Sequence, residues 1–216
     1  MVTYYARRAN EYEQIYNKPE RQEDLKRLRT LLCDLMKDHD VLEVACGTGY
    51  WTEPISHSAK SVLATDVTEE VLEIARTKPC ADNVVFQKVD AYTLERIRGE
   101  FSAAFCGFWW SHMPVSRIAG FLSRLHARLG PGALVVFCDN TYAAGSNTPI
   151  SRTDAEGNTY QMRTLEDGST HEVLKNFPTE AQVRRAVGGW ARDLEYVALT
   201  YYWCLSYRAV NPQPLP

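Results

Sequence analysis

One stretch of the chain, VLEVACGTGYWT (41–52), decides the fold. A short apolar run ends at Ala45, a turn with Gly47 and Gly49 follows, and a helical pattern begins after the second glycine. A strand, a glycine turn and a helix in this order commonly form the cradle of a small charged ligand. The ligand is a phosphate, a dinucleotide or another small molecule.

Strand and helix patterns alternate on both sides of this stretch. Such an alternation predicts an α/β fold, with helices on both faces of a doubly wound, mostly parallel seven-strand sheet. The segment DLEYVALTYYWCLSYRAV (193–210) closes the sheet as two antiparallel strands or, because no turn signal separates them, as one long strand. The other strands are predicted at 41–45, 61–65, 84–89, 101–108 and 133–139.

The length of 216 residues suits a single domain, 1–216. We expect four parts within it. Residues 1–38 form N-terminal helices that act as a lid, and residues 39–140 form the ligand-binding core. A loop and hairpin insertion follows at 141–178, where Asp167-Gly168 is a hairpin turn signal. A helix and the last strands occupy 179–210.

Composition excludes several classes of protein. A net charge of −3 and a pI near 6.0, without a basic stripe, argue against nucleic-acid binding. No apolar run is long enough for a membrane span, and the N-terminus lacks a signal core. The six cysteines form no C-x-x-C unit and the histidines no ligand spacing, so we expect no metal. We expect a cytoplasmic monomer or homodimer.

The glycine turn is a poor match to two of its three candidate ligands. A phosphate loop needs Lys and then Ser or Thr after the last glycine, where this chain has Tyr50 and Trp51. A dinucleotide fingerprint needs a third glycine, where this chain has Thr52. Those departures weigh against an NAD-dependent oxidoreductase, which stays the alternative.

Acidic residues favour the third candidate, a nucleoside that carries an amino-acid tail. Glu43 lies inside the first strand, whereas Asp66 and Asp90 end the next two strands. The carboxyl ends of parallel strands meet at the edge where open α/β sheets bind ligands. A carboxylate at the second strand can accept hydrogen bonds from both ribose hydroxyls, and one at the third strand can accept from an adenine amine.

Three of these segments, LEVACGTG, ATDVT and KVDAY, resemble the first three motifs of the class I S-adenosylmethionine (SAM)-dependent methyltransferases. The resemblance covers about residues 38–140 and implies a Rossmann-like transferase with SAM as cofactor and S-adenosylhomocysteine (SAH) as product. It implies that Gly47 and Gly49 line the methionine portion, that Asp66 binds the ribose and that Asp90 lies near the adenine. Ala45 departs from the glycine of many members. The remaining cofactor contacts are predicted at Glu43, Ala45, Val67, Ala91 and Phe108.

The acceptor site is predicted from the end of the fourth strand, which faces the sulfonium in this family. His112 is the candidate catalytic base, because its ordinary pKa lies near neutrality; alternatively it is only a neighbour of the next helix. Trp109 and Trp110 would stack on a planar acceptor, although strand alternation assigns one of them to the core. Tyr5 on the lid and Asn140 after the fifth strand complete the predicted substrate contacts.

These patterns together predict methyl transfer from SAM to an oxygen or nitrogen of a small molecule, with an aromatic or heterocyclic acceptor favoured. Besides the oxidoreductase, one further alternative stays open. The chain would then keep the fold, lack catalysis and act as a binding protein.

Overall fold

The computed structural model describes residues 8–210, except for the side chains of residues 9–12. Within these described residues, ten strands form two sheets and there are five α-helices. Short 3₁₀ helices lie at Ala9–Tyr16, Pro19–Arg21, Trp110–His112 and Val115–Arg117. The helices are α1 (Gln22–Met36), α2 (Thr52–Ser56), α3 (Glu69–Ala75), α4 (Ile118–His126) and α5 (Glu180–Val187). The strands are β1 (Asp40–Val44), β2 (Ser61–Asp66), β3 (Val84–Lys88), β4 (Phe101–Gly107), β5 (Leu129–Asn140), β6 (Arg152–Thr153), β7 (Thr159–Thr164), β8 (Thr170–Leu174), β9 (Ala191–Ala198) and β10 (Tyr202–Ala209).

The large sheet has seven strands in the order β3-β2-β1-β4-β5-β10-β9. The first five are parallel, whereas β10 runs antiparallel to both β5 and β9. This confirms the predicted seven-strand, mostly parallel sheet. The strand order reverses between β1 and β4, so the carboxyl ends of these two strands flank a crevice, where sheets of this kind bind ligands.

Apolar side chains cover both faces of this sheet. One core cluster packs α4 and α5 against it and includes Trp110, Phe121 and Trp203. The other packs α1 and α2 against the opposite face and includes Leu28 and Phe105. Burial on both faces explains why the parallel strands read as continuous apolar runs rather than as alternating patterns.

The second sheet, β6-β7-β8, is antiparallel and contains the predicted hairpin. Its turn holds Asp167-Gly168, with Gly168 at a φ of 81°. The hairpin is anchored through Asn176, whose backbone N–H donates over 2.8 Å to the carbonyl of Ser111 in the 3₁₀ helix that follows β4. The insertion is thereby fixed beside the carboxyl edge of β4 and β5.

Two antiparallel strands, rather than one, close the chain. Their connection at Leu199–Tyr201 contains no Gly, Pro, Asn or Asp. The buried carboxylate of Asp24 on α1 accepts a hydrogen bond from the N–H of Tyr201 over 2.8 Å. A residue distant in sequence therefore stabilises this turn, and the residues of the turn itself contain no sequence signal that predicts it.

Candidate active site

The glycine turn leaves β1 through left-handed backbone. Ala45, Gly47 and Gly49 have φ values of 57°, 56° and 78°. A Cβ added at Gly49 would lie 3.1 Å from the Cβ of Ala75, so glycine there lets α3 approach the turn. A Cβ at Gly47 would meet nothing within 4 Å, because this glycine faces open space. Only the first glycine leaves room for a ligand.

A cavity of about 210 Å³ lies in front of Gly47 at the carboxyl edge of β1, β2 and β4. Seven of the nine predicted cofactor contacts line it, and these are Ala45, Gly47, Asp66, Val67, Asp90, Ala91 and Phe108. Val71, Val89 and Trp109 add apolar surface. The cavity thus combines a polar glycine turn with an apolar wall, as a nucleoside requires.

Asp66 fixes the backbone around this cavity. Its Oδ2 accepts from the N–H of Gly47 over 3.0 Å, and its Oδ1 accepts from the N–H of Thr68 over 2.9 Å. Burial raises the pKa of Asp66, while these hydrogen bonds oppose that rise. Asp66 also lines the cavity, and carboxylate oxygens are acceptors for hydroxyl groups of a ligand. Asp90 is exposed and accepts from the N–H of Tyr92 over 2.8 Å.

Glu43 and Gly49 are the two predicted cofactor residues that the structure does not place on the cavity wall. Gly49 packs on α3, as described above. Glu43 is only 2% exposed, and its Oε2 has no hydrogen-bond partner among the described residues. Desolvation, with a smaller contribution from the charge of Asp66, raises the pKa of Glu43 to about 7. Its side chain is therefore a buried acid beneath the turn.

A second cavity, of about 420 Å³, adjoins the first. Phe108 and His112 line both cavities, so these two side chains stand at the junction. Phe108 has a φ of 57°, an uncommon conformation for a bulky residue that is often found at functional sites. Asn140 lines the second cavity, as do residues of the N-terminal 3₁₀ helix and of β7.

The two tryptophans have different surroundings, although both lie beyond the end of β4 at Gly107 and strand alternation therefore does not separate them. Trp109 lines the first cavity, where its ring meets that of Tyr92 edge-on with centroids 5.3 Å apart. Trp110 is 2% exposed and packs in the core against Phe137 and Trp203. Trp110, predicted as a substrate contact, therefore lines neither of the two cavities. Tyr5 lies outside the described residues.

His112 is buried, with its tautomer set by the backbone. Its Nδ1 lies 2.9 Å from the carbonyl oxygen of Leu174, which can only accept, so Nδ1 carries the proton and Nε2 a lone pair. Desolvation, followed by the charges of Lys175 and Arg163, lowers the pKa of His112 well below 6.5. The ring is therefore neutral at neutral pH.

A buried polar network that the sequence did not predict includes Ser111, the residue before this histidine. Lys175 Nζ donates to Ser111 Oγ over 2.6 Å and to Asp139 Oδ1 over 3.1 Å, and Asp139 Oδ2 accepts from the N–H of Ser111 over 2.8 Å. Desolvation lowers the pKa of Lys175 to about 8, although Asp139 opposes that shift. Asp139 lies one residue before the end of β5, and Asp66 is the last residue of β2, so the presence of an acid near a strand end could have identified Asp139.

The part of the sequence that contains Gly47 and the strands around the first cavity matches the profile of a known family. Residues 41–132 match a profile described as "Methyltransferase domain". A solved DhpI-SAH complex is 28% identical, with a TM-score of 0.76, and the match covers 99% of this chain and 96% of that one. Together these matches support a class I SAM-dependent methyltransferase.

Curated relatives agree with this assignment over part of their length. The demethylmenaquinone methyltransferase of Lactococcus lactis is 29% identical over 130 residues, which is 56% of this chain and 50% of that protein. The glycine N-methyltransferase of Mus musculus is 30% identical over 122 residues, 48% of this chain and 41% of that protein. The chain thus spans about half the length of the curated relatives it matches.

The wall of the first cavity fits the family's cofactor, SAM. Gly47 leaves room where a side chain would intrude, Asp66 offers oxygens for hydroxyls, and apolar side chains face a planar base. Among the helices of residues 8–210, none has the length and hydrophobicity to cross a bilayer. The same residues contain no group of three or more His, Cys, Asp or Glu arranged to hold a metal ion.

Proposed function

We propose that this methyltransferase transfers a methyl group from SAM to an oxygen or nitrogen atom of a small-molecule acceptor. The observation that carries the proposal is the pair of adjoining cavities that share Phe108 and His112. One cavity has the wall expected for the cofactor. The other, at about 420 Å³, lies within the range of about 300–1,000 Å³ typical of small-molecule sites.

Residues of the first cavity would hold the cofactor by complementary contacts. Gly47 and Ala45 would face the methionine portion, Asp66 would accept from the ribose and Asp90 would lie near the adenine. When bound, SAM supplies a methyl group activated by a sulfonium sulfur. The similar structure described as "DhpI-SAM-HEP complex", with 27% identity and a TM-score of 0.77, supports this assignment.

His112 is the proposed catalytic residue at the junction. Its neutral ring presents Nε2 as a proton acceptor for a hydroxyl or amine, which loses a proton as it gains the methyl group. A neutral ring also avoids placing a second positive charge beside the sulfonium. The backbone carbonyl of Leu174 holds the ring in this orientation. Since Trp109 and Trp110 do not line the second cavity, we do not retain the favoured aromatic stacking in this proposal.

Calorimetric titration with SAM, SAH and NADH tests the proposal directly. We expect SAM and SAH to bind and NADH not to bind. Asp66→Ala should weaken the binding of SAH at least about tenfold, because it removes a hydrogen-bonded carboxylate from the cavity wall. Asp82→Ala, at an exposed position before β3, is the matched control and should leave SAH affinity unchanged. If NADH binds and neither SAM nor SAH does, the chain is an oxidoreductase or another nucleotide binder.

A further inference from the structure

The second cavity is lined by an unusual share of positive charge. Its cationic side chains come from the N-terminal segment, from β7 and from the residue that follows β8. None of the described residues on its wall is an aspartate or glutamate. The cations are Arg8, Lys18, Arg21, Arg163 and Lys175.

Neutral groups satisfy several of these cations. Lys18 Nζ donates to the carbonyl of Ser146, and Arg21 Nε donates to Ser146 Oγ over 3.0 Å. Arg163 Nη2 donates to Gln161 Oε1 over 2.8 Å, while its buried Nε has no hydrogen-bond partner among the described residues. Hydrogen bonds to neutral acceptors satisfy donors but leave the charge uncompensated.

The carboxylates near the wall do not balance the whole set. Glu166 accepts a hydrogen bond from the wall residue Gln14 over 2.7 Å. Asp139 is fully buried and pairs with Lys175. Glu20 is exposed, accepts from Ser146 Oγ over 2.7 Å and compensates part of the charge of Lys18 and Arg21. Lys18, Arg21 and Arg163 are thus collected around a partly enclosed space. Such a focused positive potential attracts anions, and guanidinium groups match the geometry of oxyanions.

We propose that the second cavity recognises a small oxyanion, so that the methyl acceptor carries a carboxylate or a phosphorus oxyacid group. This inference rests on the proposed methyl transfer and adds to it the chemical class of the acceptor. Arg163 and Arg21 bind the anionic group from β7 and from the start of α1. Asn140 and Gln161 supply neutral hydrogen bonds to the rest of the molecule.

A competing role for these cations is to bind the carboxylate of the cofactor. The experiment therefore uses protein saturated with SAH and follows the binding of inorganic phosphate and of acetate by calorimetry. Arg163→Gln removes the charge and keeps a polar side chain. Arg152→Gln makes the same change on β6, where the guanidinium is exposed and pairs with Glu172, and is the matched control.

We expect at least one probe to bind the SAH complex, and the tighter probe identifies the kind of oxyanion. Arg163→Gln should weaken the binding of that probe about tenfold or more, whereas Arg152→Gln should change the affinity for the probe less than about twofold. An unchanged affinity for SAH shows that each variant is folded. Lys18→Gln, at a second cation of the same cavity, should also weaken the binding of the probe.

Three results would overturn the proposal. One is that neither probe binds although SAH does, which leaves the methyltransferase assignment intact. Another is that both arginine variants bind the probe equally well. The third is that Arg163→Gln weakens the binding of SAH but not the binding of the probe. This result would mean that Arg163 binds the carboxylate of the cofactor. Absence of SAH binding in the unchanged protein would instead refute the proposed function.

Discussion

Replacing Glu43 with glutamine should change the pH dependence of folding. Burial raises the pKa of this carboxyl from an ordinary 4.5 to about 7. A group whose pKa is raised by folding contributes stability that is fully present below 4.5 and lost as pH rises through about 7. At about 1.4 kcal/mol for each pH unit, the loss amounts to about 3 kcal/mol. Glutamine is neutral in both the folded and the unfolded state, so the Glu43→Gln protein does not lose this stability as pH rises.

Urea unfolding of both proteins across the interval from 4.5 to 7 measures this effect. The free energy of unfolding of Glu43→Gln, relative to the unchanged protein, should rise by about 3 kcal/mol from the acid to the neutral end. Any fixed cost of inserting an amide cancels, because only the change with pH is used. Glu70→Gln, at an exposed position on α3, is the control and should change far less. A difference that stays constant with pH would mean that Glu43 is ionised throughout and has a partner.

Two further predictions concern the junction of the cavities. Because burial holds the pKa of His112 well below 6.5, kcat should not fall as pH drops from neutrality towards 6.5; an acidic limb near 6.5 that disappears in His112→Gln would refute this. Asp139→Ala should cost about 3–5 kcal/mol of unfolding free energy in urea, because it leaves the buried ammonium of Lys175 without its counter-charge. A loss below about 1 kcal/mol would show that Lys175 is neutral or solvated.

Local sequence signals were sufficient to predict most of the strands and helices. Thr179 illustrates this, since it caps α5 with a capping box that involves Gln182. The helix predicted directly after Gly49 was less accurate, because α2 spans only Thr52–Ser56. The strand β5 begins at Leu129, earlier than the predicted 133, because the preceding helix already ends at His126 and Gly130-Pro131-Gly132 is incorporated in the strand. Boundaries near glycine and proline depend on tertiary pairing, which the sequence pattern does not contain.

The candidate site was predictable where it follows the strand ends of the large sheet. Asp66 and Asp90 lie on the first cavity because parallel strands end at one edge. Lys175 and Arg163 were missed because they reach the second cavity from the hairpin, through docking that links residues more than sixty positions apart. Glu43 has the right place in the sequence for a ligand contact, but its side chain is buried and does not line the cavity.

The position of β10 has a consequence for synthesis of the chain. This strand separates β5 from β9, so the edge of β5 acquires its partner only when residues up to Ala209 are available. During translation the parallel half of the sheet emerges earlier and exposes an unpaired apolar edge, the kind of surface that promotes aggregation. A nonsense mutation before Tyr202 would remove one strand and leave β9 without a neighbour, so such a product should be a substrate for chaperones and proteases.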